Sequence, residues 1–186
     1  MNYALIVGGI ILVICLVYYF ITYNNLVRLN NKVKESFATM DVYLKKRWDL
    51  IPNIVETVKG YAKHEKDTLK DIVAVRNGDY DKLSQDEKIK TNEQINRCIS
   101  RLLALAENYP DLKANENFLS LQAELSGVED EIAQSRKYYN AVVREFNDKV
   151  EMIPSNIVAK TLGYNSKEMF IAEESEKKSV KVNFEL

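Results

Sequence analysis

A continuous apolar run at the N-terminus is the feature of this sequence that most restricts its fold. No Asp, Glu, Lys or Arg occurs before Arg28, and Tyr3 to Ile21 is almost wholly apolar. As an α-helix this run would cover about 28 Å, close to the ~30 Å hydrocarbon core of a bilayer. Its Leu, Ile, Val and Phe residues favour insertion by about 5 kcal/mol in total. The run therefore predicts a single transmembrane helix within a first segment at residues 1–23.

A cleaved signal peptide is the main alternative for this run. A signal peptide needs a basic region before the apolar residues and a cleavage site of small residues after them. Only Asn2 separates Met1 from the run, and the sequence YYFITYNN at its end has no such site. We therefore expect the run to be retained as a membrane anchor.

The charges that follow the run predict its orientation. Residues 24–47 contain two acidic residues, Glu35 and Asp41, and six basic ones: Arg28, Lys32, Lys34, Lys45, Lys46 and Arg47. By the positive-inside rule, this excess places the N-terminus outside and the rest of the chain in the cytoplasm. The two cysteines, Cys15 and Cys98, suit a reducing compartment.

Beyond the run, the apolar residues follow helical spacing and not the alternation of strands. The clearest stretch has an apolar residue at every seventh position: Phe118, Leu125, Ile132, Tyr139, Phe146 and Ile153. This repeat predicts a helix of about 38 residues with a narrow apolar seam, as in coiled coils. Stripes at 26–48, 51–72 and 95–109 predict three shorter helices.

Local sequence patterns predict where these helices begin and end. Ser84 and Glu87 have capping-box spacing and predict the start of the third helix, and Pro110 predicts its end. Asn77-Gly78 predicts the end of the second helix. A further short helix is expected from Ser155 to Leu162, stopped by Gly163.

Pro52 is the least determined boundary, because the apolar stripe keeps its phase through it. Pro52 could start a new helix with Asp49 as its cap, or it could kink one long helix. We favour the break, because it gives four soluble helices of about 24, 27, 24 and 38 residues, which suit an up-and-down bundle. The prediction is thus all-α: an N-terminal transmembrane helix, an antiparallel up-and-down four-helix bundle at 24–164, and a charged tail at 165–186 with weak alternation at Val180, Val182 and Phe184.

The sequence offers little for catalysis. His64 is the only histidine and follows Tyr61 by three residues, so the Glu-x-x-His pairs of a di-iron bundle are missing. Cys98 lies in an apolar helical stretch and is expected to be a buried or half-buried thiol. No phosphate-binding loop or Cys-x-x-Cys motif occurs. We predict a non-enzymatic protein with no catalytic residue, cofactor or metal, and the net charge of −1 argues against a nucleic-acid partner.

Two polar features are candidates for fixing helix register or for binding a partner, and packing is the favoured interpretation. The first is a helix face with charges of alternating sign and adjoining basic residues: Asp41, Lys45, Lys46, Arg47 and Asp49. The second is the pair Asn140 and Asn147, which are seven residues apart and share a helix face.

Two long strings of residues resemble a known family. YNNLVRLNNKVKESFATMDVYLKKRWDLIPNIVETVKGYAKHE, at 23–65, resembles the LemA family of bacterial proteins, and RKYYNAVVREFNDKVEMIPSNIVAKTLGY, at 136–164, is similar to the same family's C-terminal signature. The resemblance implies a single N-terminal span, an antiparallel four-helix bundle and an N-terminus outside the cell. It brings no catalytic residue or cofactor with it.

These observations predict a membrane-anchored scaffold or interaction protein. Its expected partners are the lipid bilayer, contacted by the N-terminal helix, and an unidentified membrane or cytoplasmic protein, with a homo-oligomer as a further alternative. A second hypothesis is a lipid- or envelope-organising element whose basic residues at 28–47 contact anionic headgroups. The third and least favoured hypothesis is a redox sensor built on Cys98.

Overall fold

The computed structural model describes residues 2–62, 64–74 and 79–170. Within these ranges the chain is helical and contains no strand, which confirms the all-α prediction. The elements are α1 (Asn2–Tyr61), α2 (Lys66–Ala74), a 3-10 turn (Tyr80–Lys82), α3 (Gln85–Ala106), α4 (Pro110–Lys113), α5 (Glu116–Glu151) and α6 (Ser155–Thr161).

The predicted break at Pro52 is wrong, because α1 is one helix of 60 residues with Pro52 inside it. Proline removes one helical N–H donor and costs about 3 kcal/mol in a helix interior. Around it, Leu50, Ile51, Ile54 and Val55 are all buried. Since burial of each such side chain contributes about 1.5–3 kcal/mol, the unbroken apolar stripe outweighs the local cost. The four soluble helices of similar length are therefore not found.

The start and the end of α3, which were predicted from a capping box and a proline, lie close to their predicted positions. Ser84 caps α3: its Oγ accepts the N–H of Glu87, and the Glu87 carboxylate accepts the N–H of Ser84. Pro110 follows the end of α3 and opens α4 at its first turn. Asn77-Gly78 lies outside the described residues.

The longest predicted soluble helix is confirmed as α5, which has 36 residues. Its heptad positions from Phe118 to Phe146 are buried. Ile153 was expected to continue this seam, but it is 83% exposed because α5 ends at Glu151. The short helix α6 follows as predicted, and Gly163 takes the left-handed conformation (φ 67°) that ends it.

The described residues form two compact units. The central unit is Arg28–Val142, and the terminal unit combines Met1–Val27 with Val143–Leu186. In the central unit most buried apolar side chains come from α1, α2, α3 and α5, and they include Val33, Met40, Val58, Ile72, Leu102 and Val128.

The terminal unit contains the apolar run and a small core. Leu26 of α1 packs with Val158 and Ala159 of α6, and the Tyr19 hydroxyl lies 3.3 Å from Thr161 Oγ1. The first part of α1 is long and apolar enough to cross a membrane, and its most apolar stretch contains no buried residue.

The first residues of the predicted tail contact α5. Ser166 donates to the Glu151 carboxylate at 2.6 Å, and Phe170 is buried. The alternation predicted around Val182 lies outside the described residues.

Candidate functional site

The most unusual polar side chain in the central unit is Arg47, which is 1% exposed. Its Nη1 donates to Asn96 Oδ1 at 2.7 Å and to both oxygens of Glu129 at 2.8 and 2.9 Å. Its Nη2 donates to the side-chain and backbone oxygens of Asn92, while its buried Nε has no partner. The guanidinium thus connects α1 to α3 and α5.

The partners of Arg47 suit a buried cation. A planar guanidinium presents several N–H donors in fixed directions. Here two side-chain amides, one carboxylate and the Asn92 backbone carbonyl accept from its two terminal nitrogens. The Glu129 side chain is 39% exposed, so the pair is only partly removed from water. Loss of one member of such a network leaves the others without partners, which is costly when the groups are buried. The role of Arg47 in fixing helix register stays a prediction.

A second polar cluster lies beside Arg47 and surrounds Tyr80. The buried Tyr80 hydroxyl donates to Asp41 Oδ1 at 2.7 Å. Lys88 Nζ donates to Asp41 Oδ2 at 2.6 Å and lies 4.7 Å from the Tyr80 ring centroid. The ring also contacts Trp48, with centroids 5.4 Å apart. Burial, and then the hydrogen bond to Asp41, raise the pKa of Tyr80 far above 10.0, so the hydroxyl stays protonated as a donor.

The predicted face of alternating charge is divided by the fold. Asp41 and Arg47 make the buried contacts above, whereas Lys45 and Asp49 form an exposed pair with oxygens 2.9 and 2.8 Å from Nζ. A second exposed pair joins Lys46 to α5, with Lys46 Nζ 3.0 Å from Glu124 Oε1. Exposed pairs of this kind contribute little to stability, so Lys45, Lys46 and Asp49 are the members of this group that a partner can reach.

The two predicted asparagines are both half-buried on α5. Asn147 makes a reciprocal pair with the backbone of Lys167: its Nδ2 donates to the carbonyl at 2.9 Å, and its Oδ1 accepts the N–H at 2.8 Å. Asn140 also has an interaction partner. A packing role is consistent with these contacts, and the partner-binding role of both residues stays a prediction.

Small pockets lie among the described residues of the central unit. One, lined by residues around Phe118, has a volume of about 10 Å³. Another, lined by residues around Arg47, has no room for a water molecule. The larger has room for about one water molecule. Among residues 2–62, 64–74 and 79–170, no group of three metal-ligating side chains occurs. Burial raises the pKa of the Cys98 thiol, which disfavours the reactive thiolate.

Sequence reasoning found Arg47 and Asp41 but missed the residues they bind. Asn92, Asn96 and Glu129 lie 45 to 82 positions from Arg47 in the chain, and Tyr80 lies 39 positions from Asp41. No local spacing relates such distant residues. The one available indication was the position of Arg47 between the core residues Leu44 and Trp48, on the buried side of the helix.

Together the fold and these contacts define a class of protein. It is an all-α protein whose first helix begins with an exposed apolar stretch, and in its central unit a buried arginine of that helix bonds to two other helices. A comparison with known families assigns it more closely, because the model of the LemA family matches residues 36–184. The chain belongs to the LemA family.

Individual relatives agree with this assignment. The chain is similar to Protein LemA of Metamycoplasma hominis, with 30% identity over 161 residues, or 84% of this chain and 72% of the relative. It is also similar to Magnetosome proteins MamQ 1 and MamQ 2 of Paramagnetospirillum magneticum, each 30% identical over 73 residues. That match covers 39% of this chain and 27% of each MamQ protein.

Proposed function

We propose that this protein is a single-pass membrane protein. The helices that follow the apolar run form a non-enzymatic interaction or scaffold module. The observation that carries the proposal is the surface of the first part of α1. Large apolar side chains are exposed on every side from Tyr3 to Ile21, with no charged residue among them. Water does not stabilise such a surface over a length that matches a bilayer, whereas lipid does.

The contacts at the end of the run support its retention as an anchor. Leu26 is fully buried against Val158 and Ala159, and Tyr19 contacts Thr161. Cleavage after the run would remove Tyr19 from the terminal unit, so retention preserves the packing of α6. The orientation we propose has the N-terminus outside and the helical part in the cytoplasm, because basic residues follow the run.

Residue pairs within the central unit support an antiparallel arrangement of its helices. Between α1 and α5 the pairs run in opposite order along the chain: Phe37–Tyr139, Arg47–Glu129 and Tyr61–Asn115. Between α1 and α3 they run in the same order: Asp41–Lys88 and Arg47–Asn96. We propose an up-down-up-down bundle in which α1 and α3 point one way and α2 and α5 point the other.

Proximity labelling in living cells tests membrane attachment and orientation. A biotin ligase fused to the C-terminus should label cytoplasmic proteins and should fractionate with membranes. Labelling of extracytoplasmic proteins would overturn the orientation, and recovery of the fusion in the soluble fraction would overturn the anchor.

The interaction role is tested by changing an exposed pair on α1. The double variant Lys45→Ala, Asp49→Ala should remove at least one neighbour from the labelled set, because these side chains face solvent. The matched control is Glu56→Ala, Lys59→Ala, which removes another exposed ion pair from the same helix. If both double variants keep the full set of labelled neighbours, the proposed partner face is wrong.

A further inference from the structure

The turn between α5 and α6, together with the first turn of α6, exposes an unusual concentration of apolar side chains. Met152, Ile153 and Ile157 are 60%, 83% and 63% exposed. In the central unit, Val42 is comparably exposed at 65%, but it stands alone on its helix face between Asp41 and Lys45. Since exposing large apolar side chains to water is unfavourable, three of them within six residues indicate a surface that something covers.

The turn and α6, taken together, contain very little charge. From Met152 to Gly163 it reads MIPSNIVAKTLG, with no acidic residue and one basic residue, Lys160. An acidic side chain would resist insertion into lipid and would repel anionic headgroups, whereas a lysine beside an apolar surface can reach the headgroup layer. The composition is that of a segment lying at a membrane surface.

Contacts of α6 hold this segment next to the apolar run. Thr161, at the end of α6, lies 3.3 Å from the hydroxyl of Tyr19, which belongs to the run. Val158 and Ala159 pack on Leu26, five residues beyond the run. All of these residues lie in the terminal unit, so their relation to one another is defined. A tyrosine at the end of an apolar run is typical of the boundary between hydrocarbon and headgroups, and α6 contacts α1 at that level.

The exposure of Ile153 also departs from the pattern of α5. The heptad repeat would bury it below Phe146, yet α5 ends at Glu151 and the side chain leaves the seam. Together with Met152 and Ile157 it forms an exposed apolar group, and such a group marks a contact surface more than a single exposed residue does.

We propose that the segment 152–157 inserts into the interfacial layer of the bilayer beside the transmembrane helix, as a second membrane contact of the protein. The proposal depends on the membrane anchor proposed above. Met152, Ile153 and Ile157 enter the boundary between acyl chains and headgroups, and Lys160 lies at the headgroups. The occupant of this surface is lipid, not a second copy of the chain or another protein.

Spin-label accessibility in vesicles tests the proposal with the full chain. A background variant with Cys15→Ala and Cys98→Ala receives one nitroxide at a time, at Ile153→Cys, Ile10→Cys or Val42→Cys. The chain is reconstituted in vesicles of phosphatidylcholine and phosphatidylglycerol. Collisions are measured with oxygen, which is enriched in lipid, and with a water-soluble nickel complex. Ile10 is the reference within the run, and Val42 is the matched exposed apolar reference.

For each label we take the ratio of its collisions with oxygen to its collisions with the nickel complex. We expect this ratio to be several-fold higher at position 153 than at position 42. Preference for nickel at 153 with preference for oxygen at 10 would overturn the second contact and leave the anchor intact. Preference for nickel at both positions would overturn the anchor as well. Low accessibility to both reagents at 153 would identify a protein neighbour and would overturn the lipid assignment.

A second variant tests the chemistry of the contact. With the label at Ile157→Cys, adding Ile153→Glu should shift the collision ratio towards nickel, because a carboxylate draws the segment out of the apolar layer. Adding Val42→Glu should leave the ratio at 157 unchanged. An unchanged ratio with Ile153→Glu would contradict insertion of this segment.

Discussion

The two parts of α1 differ in how their apolar residues are arranged, although they belong to one unbroken helix. In the first part, at 3–21, apolar side chains cover the whole circumference and remain exposed. In the second part, from Leu26 to Val58, they form a stripe that is buried by other helices of the protein. An apolar circumference requires an apolar solvent, whereas an apolar stripe requires a packed neighbour.

Charged side chains are also distributed differently between the two parts of α1. The first part contains no charged side chain, but the second places Arg47 in the protein interior and satisfies it with Asn92, Asn96 and Glu129. A packed neighbour can supply specific acceptors for a cation, and hydrocarbon cannot. The comparison therefore predicts that the same kind of substitution will have different effects in the two parts of one helix.

The largest effect is expected for charge added to the first part. Leu12→Arg combined with Val13→Arg should disfavour insertion by about 7 kcal/mol, more than the whole run contributes. The variant should leave the membrane fraction after alkaline extraction. Val42→Arg, at an exposed apolar position of the second part, should stay membrane-bound. Retention of the double variant in the membrane would refute a lipid environment for this part of α1.

The next effect is expected for charge removed from the second part. Arg47→Ala should destabilise the central unit by about 3 kcal/mol, because it leaves Asn92, Asn96 and Glu129 without their donor. Urea unfolding can be followed by the fluorescence of Trp48, the only tryptophan and a buried neighbour. The adjacent Lys46→Ala, which removes an exposed pair with Glu124, should cost less than about 1 kcal/mol. Equal losses for both variants would show that burial of Arg47 has no energetic consequence.

A smaller effect is expected where helix structure depends on a cap. Ser84→Ala removes the side-chain half of the capping box of α3, in which Ser84 Oγ accepts the N–H of Glu87, and should cost about 1 kcal/mol. Hydrogen exchange of the α3 amides should report faster opening of its first turn. Ser100→Ala, in the middle of the same helix, is the control and should change exchange very little. Protection of the first turn that survives Ser84→Ala would argue that packing alone fixes the start of α3.

The smallest effect is a pH dependence at the same cap. Hydrogen bonds from the Ser84 side chain and backbone hold the pKa of Glu87 below its ordinary value of 4.5. Its stabilising contribution is therefore complete above pH 4.5 and is lost as the pH falls through the lower folded-state pKa. Glu87→Gln should flatten this part of the stability curve relative to the unsubstituted protein. A curve that keeps its full slope in Glu87→Gln would contradict this shift.

The features that sequence predicted correctly are those with local causes. The capping box at Ser84 and Glu87, the left-handed Gly163 and the heptads of α5 each depend on residues a few positions apart. The apolar run is similarly local. Such features can be read from one stretch of chain without knowledge of what packs against it.

The features that sequence missed depend on distant residues. Pro52 has an unfavourable local effect, and only the burial of the flanking stripe shows why α1 continues through it. Arg47 is a residue type that is rarely buried, and its acceptors come from two other helices. Ile153 fits the heptad pattern, but the end of α5 removes it from the seam.

The reciprocal bonding of Asn147 has a consequence for proteolysis. A protease that cuts after a basic residue must draw the backbone on both sides of that residue into its own cleft. At Lys167 the N–H and the carbonyl are already bonded to the Asn147 amide, and Phe170 is anchored three residues further on. We therefore expect trypsin to cut after Lys167 more slowly in the folded protein than its position outside a helix would suggest.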